Sequence, residues 1–391
     1  MEQPFTLTRR SLLIGGCCAA AAPLLTPVTF AAMPGDNRFV TIVLRGAMDG
    51  LDLVQPHGDP ALKQLRPDLA LSPDDGLIDL DGFFGLNPVA SDLMPLWKAG
   101  ELSFVHAVST PYRDARSHFD GQDMLETGEE TLGGTTSGWL NRSLSVIPGA
   151  TGGLAIDVNM SSDLILNGPN PVSIWSTRSD LAIADDELQF LKRLYQNDPA
   201  FAAAITEATR TDATTDSLYG DARRAGGAVE VAKLVGAMLL KEYRISNFSI
   251  NGWDTHVGQK VQFPRAARQL VRAIVTLKET LGEAAWNKTA VLAMTEFGRT
   301  VRQNGSKGTD HGTGGCCILA GGAVNGGKVF GKWPGLGPGK LLDDRDLMPT
   351  GDVRAVAAAM LYRQFGVRES DLTGTVFPGL TLDRNSPLLR S

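Results

Sequence analysis

The chain predicts an α/β fold: a mainly parallel sheet with helices on both faces. Three observations carry this. Short apolar runs without helical period, such as residues 289–294, read as strands buried on both faces. These runs alternate with stretches of helical spacing, as crossover-connected parallel strands require. Several runs end abruptly beside an acid or an imidazole, and the C-terminal strand edge is where open α/β sheets place their ligands.

Composition sets the frame. The 391 residues are 43% hydrophobic and 20% charged, enough for a large globular core. Lys plus Arg total 37 against 43 Asp plus Glu, a net charge of -6 with no basic face, which argues against a nucleic-acid partner. Residues 1–31 read as a twin-arginine signal peptide. Arg9 and Arg10 precede an apolar, alanine-rich stretch, and Thr29-Phe30-Ala31 offers small residues at a cleavage site. The expectation is export by the twin-arginine translocase, already folded, to the periplasm or beyond the cell. Residues 38–391 then form one domain, and no later stretch of about 18 apolar residues predicts a membrane span. Adjacent Cys316 and Cys317 face opposite sides of a strand, so two buried thiols are expected rather than a disulfide.

Taken in order, residues 38–44 form the first strand and run into Asp49-Gly50, either a site carboxylate or a turn pair. Residues 56–81 read as a loop excursion, and 89–98 as a helix that Gly100 stops. Residues 102–108 are a strand in which His106 reads as a core histidine. Ser117 is a natural N-cap for a helix that begins at His118 and closes at Gly128. That helix N-terminus favours anions. A helix is expected over 137–146, short strands over 154–158 and 172–175, a helix over 185–197 and mostly helix over 201–243, broken at Gly226-Gly227.

Residues 245–250 are a strand followed by Asp254 and His256, a spacing that puts both side chains on one side of an extended segment and suits a shared metal. A long amphipathic helix over 264–281 leads to the strand 289–294, which ends in Glu296 and Arg299. A glycine-rich loop then carries Asp310 and His311 before residues 316–320 re-enter the core. Residues 324–344 read as loop and 352–365 as a final helix.

Asp49, His118, Asp254, His256, Glu296, Asp310 and His311 thus follow four strands that share one edge if the sheet is parallel. A mixed Asp/Glu/His set suits zinc, manganese or iron, and magnesium less well; one or two divalent ions fit so many candidates. The Arg299 fork matches a phosphate or sulfate; its other reading is a salt bridge at the strand end.

The motifs R-G-A-M-D-G-L-D (45–52), S-H-F-D-G-Q-D-M-L-E-T-G (117–128), W-D-T-H (253–256), T-E-F-G-R-T (295–300) and G-T-D-H-G (308–312), in that order, resemble the domain of unknown function 1501 family (DUF1501), an exported branch of the alkaline phosphatase/sulfatase superfamily. The resemblance implies an alkaline-phosphatase-like three-layer sandwich. It implies metal ligation by Asp49, by Asp254 with His256, by Glu296 with Phe297 where a histidine is usual, and by His311, with Asp310 as ligand or outer partner. At the usual place of a hydroxyl or thiol nucleophile it puts His118, with the Ser117 hydroxyl one residue away. His118 then replaces the lost histidine as a ligand, or acts as nucleophile or base, or the covalent route is absent and metal-activated water attacks. The first and third together are the preferred reading. The catalytic candidates are His118, Ser117 and Arg299. The implied activity is exported, metal-dependent hydrolysis of phosphate or sulfate esters, either small anionic esters or sulfated or phosphorylated polymers. The competing expectation is a non-catalytic exported binding protein that keeps the fold.

Overall fold

The computed structural model describes residues 36–113, 116–150, 153–159, 163–175, 193, 195, 227–382 and 387–390. The signal segment, nearly all of the helix expected at 185–197 and the first part of the helical stretch 201–243 lie outside them. The main sheet contains β1 (Arg38–Arg45), β2 (Leu102–Ser109), β3 (Ala155–Val158), β4 (Ser173–Trp175), β5 (Ile245–Asn251), β6 (Thr289–Met294), β7 (Gly315–Ala320), β8 (Lys328–Phe330) and β9 (Gly351–Asp352). Their spatial order is β8-β2-β7-β6-β1-β5-β3-β4, with β9 also paired to β2. β1 is parallel to β5 and β6. β5 is parallel to β3, and β3 to β4. Only β7 runs the other way, antiparallel to both β6 and β2. The C-terminal ends of β1, β2, β5 and β6 and the N-terminal end of β7 therefore share one edge.

Alternation along the strands assigns two cores. Val40, Ile42, Leu44, Phe248, Ile250, Val291 and Ala293 pack against α3 (Ala228–Leu239) and α4 (Gln259–Trp286). Phe39, Val43, Ile245, Ala290, Leu292 and Met294 face the other way, onto α2 (Trp139–Leu144) and α5 (Val353–Phe365), beside α1 (His118–Thr127). The result is the expected mainly parallel sheet between two helical layers. Cys316 and Cys317 divide between these two cores as free, buried thiols.

The caps follow the sequence. Ser117 has extended backbone and caps α1, whose end is Gly128 at φ 68, and Asp352 caps α5. His106 is buried, with Nε2 3.0 Å from the Val54 carbonyl, and burial pushes its pKa down to about 4, so it packs as a neutral core imidazole.

Four expectations change. The helix expected over 89–98 is a 3-10 segment, Pro88–Leu93, followed by a short helix, Met94–Lys98. Pro95 lacks an N–H and crowds the carbonyl of Ser91, so the two cannot merge. α4 begins earlier than residue 264, from Gly258 in the left-handed region, and holds Pro264 inside; Gly282 at φ 68 breaks it near its end. The loop excursion at 56–81 contributes to a small three-stranded sheet, and the loop at 324–344 contributes β8 to the main one.

Close backbone contact explains the glycines around β7. A Cβ on Gly298 would lie 1.9 Å from the Gly314 carbonyl oxygen. Gly298→Ala is therefore expected to lower stability by about 1–3 kcal/mol or more through overpacking, read as a lower thermal midpoint; an unchanged midpoint would contradict this packing.

Candidate metal centre

The shared sheet edge gathers three imidazoles around one carboxylate. Asp254 follows β5, and its Oδ1 lies 3.0 Å from His256 Nε2 and 3.2 Å from His311 Nε2. Those two Nε2 atoms are 3.0 Å apart. His118, the first residue of α1, brings its Nε2 to 3.4 Å from Asp254 Oδ2. Its ring stacks on Phe297 and meets the His311 ring edge-on at 4.3 Å. One ligand atom each from His118, Asp254 and His311 lie within 4.8 Å of one another.

What stands behind each ring decides the chemistry. His118 Nδ1 is 2.8 Å from Glu296 Oε1, His256 Nδ1 is 2.9 Å from Asp310 Oδ1, and His311 Nδ1 is 2.8 Å from the Arg116 carbonyl. Carboxylate and carbonyl oxygens only accept, so each Nδ1 donates and each neutral ring presents a bare Nε2 lone pair. With the rings neutral, three lone pairs and a carboxylate converge; without a metal, a proton on Nε2 would pair with Asp254 instead. The His118 Nε2 is buried without a hydrogen-bond partner. Such a set needs positive charge in it, a metal ion or a proton, and histidines backed by carboxylate or carbonyl are the usual outer arrangement of a metal site. Bonds of about 2.0–2.1 Å in a tetrahedron place ligand atoms about 3.3 Å apart. The His256, His311 and Asp254 atoms form a triangle with sides of 3.0, 3.2 and 3.0 Å, so the residues present fit a divalent metal.

The electrostatics draw positive charge into the site. Burial alone would raise the Glu296 carboxyl, but hydrogen bonds from His118, the Gly46 backbone and Thr295 hold it below the usual range. The Glu296 hydrogen bond, opposed by partial burial, raises the His118 imidazole above its ordinary value. Burial and the neighbouring His118 lower His311. Asp254 is held low, burial being outweighed by Arg299 and the histidines. Arg299 is buried; Nη1 donates to Asp254 Oδ1 at 2.8 Å, Nε donates to Thr309 Oγ1 at 3.2 Å, and Nη2 is buried with no partner. The arrangement is a candidate cation site with an unpaired guanidinium N–H beside it.

Two of the sequence-derived ligands, Asp49 and Glu296, fall in different places, and Asp310 takes the outer of its two expected places. Asp49 is not drawn into the cluster. Its Oδ1 accepts from Leu51 N at 3.0 Å, and its Oδ2 accepts from Arg66 Nη1 at 2.7 Å and Gln259 Nε2 at 2.6 Å, so buried donors occupy both oxygens. Glu296 and Asp310 stand behind His118 and His256, with their near oxygens taken by those rings and by Gln122 and Asn304. Of the catalytic candidates, His118 lies among the converging groups, beside Asp254 and His311. The Ser117 hydroxyl accepts from Asp120 N at 3.5 Å as the helix cap, and the backbone N–H of Ser117 donates to the Tyr112 hydroxyl. Sequence reasoning missed Arg66 and Gln259, which hold Asp49, and the Arg116 carbonyl, which no side-chain pattern signals.

The family model described as "Protein of unknown function (DUF1501)" matches residues 105–376. The chain belongs to the DUF1501 family. All four converging side chains lie inside the matched region, whereas Asp49 and Arg66 lie before it. No curated protein matches this DUF1501 chain. Among solved structures, a protein in the alkaline phosphatase superfamily from Vibrio parahaemolyticus is similar at 9% identity and TM-score 0.34, over 83% of this chain and 72% of that one. The lipoteichoic acid synthase LtaP from Listeria monocytogenes is similar at 9% identity and TM-score 0.37, over 91% and 78%. Ps i-CgsB in complex with k-i-k-neocarrahexaose is similar at 11% identity and TM-score 0.38, over 86% and 74%. Likenesses of this size decide nothing about chemistry. Among the described residues no helix is long and apolar enough to cross a membrane.

Two outcomes follow from the geometry. Asp310→Asn should weaken metal binding about 10–100-fold while the protein stays folded. Asp49→Ala should instead cost about 3–5 kcal/mol of stability by leaving the buried Arg66 charge without its carboxylate. Calorimetric metal titration and thermal melting separate the two; an Asp49 variant that lost metal but not stability would reverse the assignment.

A pH dependence follows as well. The raised His118 pKa means that, in the metal-free protein, its pairing with Glu296 is complete below the ordinary imidazole range and is lost as pH rises through the folded value. Protons therefore compete with metal at His118 at a higher pH than at an ordinary imidazole. Metal affinity measured against pH should begin to fall, on acidification, above about pH 6.5, and a flat profile down to pH 5 would contradict it.

Proposed function

We propose that this chain is an exported, metal-dependent hydrolase of phosphate or sulfate esters. The observation that carries the reading is the convergence of three Nε2 atoms on Asp254, each ring pinned from behind by an acceptor at Nδ1. His118, His256, His311 and Asp254 would hold one divalent cation, with zinc, manganese or iron matching the nitrogen-rich donor set. A bound cation there supplies Lewis acidity toward an ester oxygen and makes water a nucleophile near neutral pH.

The chain's own groups do the rest. Glu296, Asp310 and the Arg116 carbonyl fix the tautomers. Arg299 uses Nη1 and Nε to fix its plane and leaves Nη2 to donate to a non-bridging oxygen of the ester. Tyr112, Met124, Ala47 and Phe297 form an apolar floor next to His118, which keeps the local dielectric low and strengthens each of these interactions. Ser117 caps α1 and His118 belongs to the ligand set, so activated water is a better nucleophile here than either side chain. The twin-arginine segment supports export to the periplasm or outside through the twin-arginine translocase. Small anionic esters and sulfated or phosphorylated polymers are the substrate classes to screen.

Elemental mass spectrometry on the folded protein should find a divalent metal that a His256→Ala/His311→Ala variant lacks. Hydrolysis of a panel of phosphate and sulfate esters should fall to background after chelation and return with metal. Metal-free, inert wild-type protein would instead favour the non-catalytic binder. Arg299→Lys should lower kcat/KM about 10²–10³-fold with metal content unchanged, and loss of metal in that variant would assign Arg299 to the metal site instead.

A further inference from the structure

We propose that Asp346 and Arg116 form a positioning strut that fixes the tautomer and aim of His311, and so sets cation affinity with neither side chain in contact with the cation. This rests on the metal reading above. Arg116 adopts φ 56, the left-handed region that a side chain with a Cβ rarely enters. In that conformation its carbonyl accepts from His311 Nδ1 at 2.8 Å. Strained backbone persists where its surroundings over-determine it, and here the anchor is visible. The Arg116 guanidinium donates from Nε at 3.3 Å and from Nη2 at 3.0 Å, both to Asp346 Oδ2.

Asp346 is fully buried and ties the neighbouring pieces to the same point. Its Oδ2 also accepts from Thr313 Oγ1 at 2.8 Å, on the loop that carries His311. Its backbone bridges Thr300, next to Arg299, which in turn bridges His311. One carboxylate oxygen thus holds both the residue that supplies the acceptor and the loop that supplies the imidazole. His118 and His256 face carboxylates directly; only His311 depends on a backbone carbonyl, whose aim needs a separate anchor. Without that anchor the Arg116 backbone relaxes, the carbonyl leaves Nδ1, and His311 Nε2 is no longer held bare toward Asp254.

The test uses cobalt(II), whose visible bands report ligand geometry, on the full chain. Arg116→Gly retains access to the left-handed backbone but removes the guanidinium. Asp346→Asn weakens the anchor, and Arg116→Lys restores part of it. Arg345→Ala removes the donor to the other oxygen of Asp346, 2.9 Å away, and Arg345 makes no hydrogen bond to Arg116 or His311. Arg116→Gly and Asp346→Asn are expected to bind cobalt about tenfold more weakly, with shifted bands and, for Arg116→Gly, a metal-free protein that stays folded, since Arg345 and Thr313 still donate to Asp346. Arg116→Lys should recover part of the affinity, and Arg345→Ala should match wild type. Wild-type affinity and bands in Arg116→Gly would overturn the strut, as would an equal loss in Arg345→Ala. If Asp346→Asn does not fold, the Arg116 variants decide alone. A wild-type chain with no cobalt bands removes the metal reading itself, a result distinct from tight binding in every variant.

Discussion

The site depends on how three imidazoles are protonated. Each ring has an oxygen acceptor behind Nδ1, two from carboxylates and one from a backbone carbonyl. That constraint decides which nitrogen carries the proton and therefore which one is free. Without it, the 3.0 Å approach of His256 and His311 Nε2 would be an ordinary hydrogen bond with the proton on either ring. With it, the approach is a cluster of electron pairs beside a carboxylate. Chemistry follows from the outer groups as much as from the four that converge.

The sheet makes this constraint possible. Parallel β1, β2, β5 and β6 end at one edge, so segments far apart in sequence meet there; His118 and Glu296 are separated by 178 residues. The reversed strand β7 starts at that same edge, so the loop leaving β6 returns to its origin carrying Asp310 and His311. The glycines at 298 and 312 let that loop fold on itself with backbone against backbone, and Gly314 packs on the Leu347 carbonyl. Bulk there would separate Arg299 from His311, which pair through their backbones.

Much of this was legible in the sequence. Apolar runs without helical period marked β1, β2, β5 and β6, and the Ser117 and Gly128 pair marked both ends of α1. His118, Asp254, His256 and His311 stood out as an acid and imidazoles just beyond strand ends. The roles of the other acids were not legible, because a carboxylate past a strand end reads the same whether it faces a metal, an imidazole N–H or a guanidinium. Asp49 illustrates this. Its partner Arg66 sits in what reads as a loop excursion, and Gln259, which joins Asp49 to Asp52, carries no pattern at all. The acidic pair itself has an effect only burial reveals: burial and the nearby Asp49 push Asp52 up to about 6. The 89–98 helix failed for a local reason, since apolar spacing does not register what Pro95 removes.

The four converging side chains come from three separate strand ends, and none of these ends meets another until the sheet is closed. A partly folded chain can offer a cation at most the neighbours Asp254 and His256, or His311 alone. Affinity at this site therefore grows with completion of the fold rather than with any one segment, and a cation held there would act as a clasp on the finished domain by mass action. Loading would then follow folding, on whichever side of a membrane the sheet first closes.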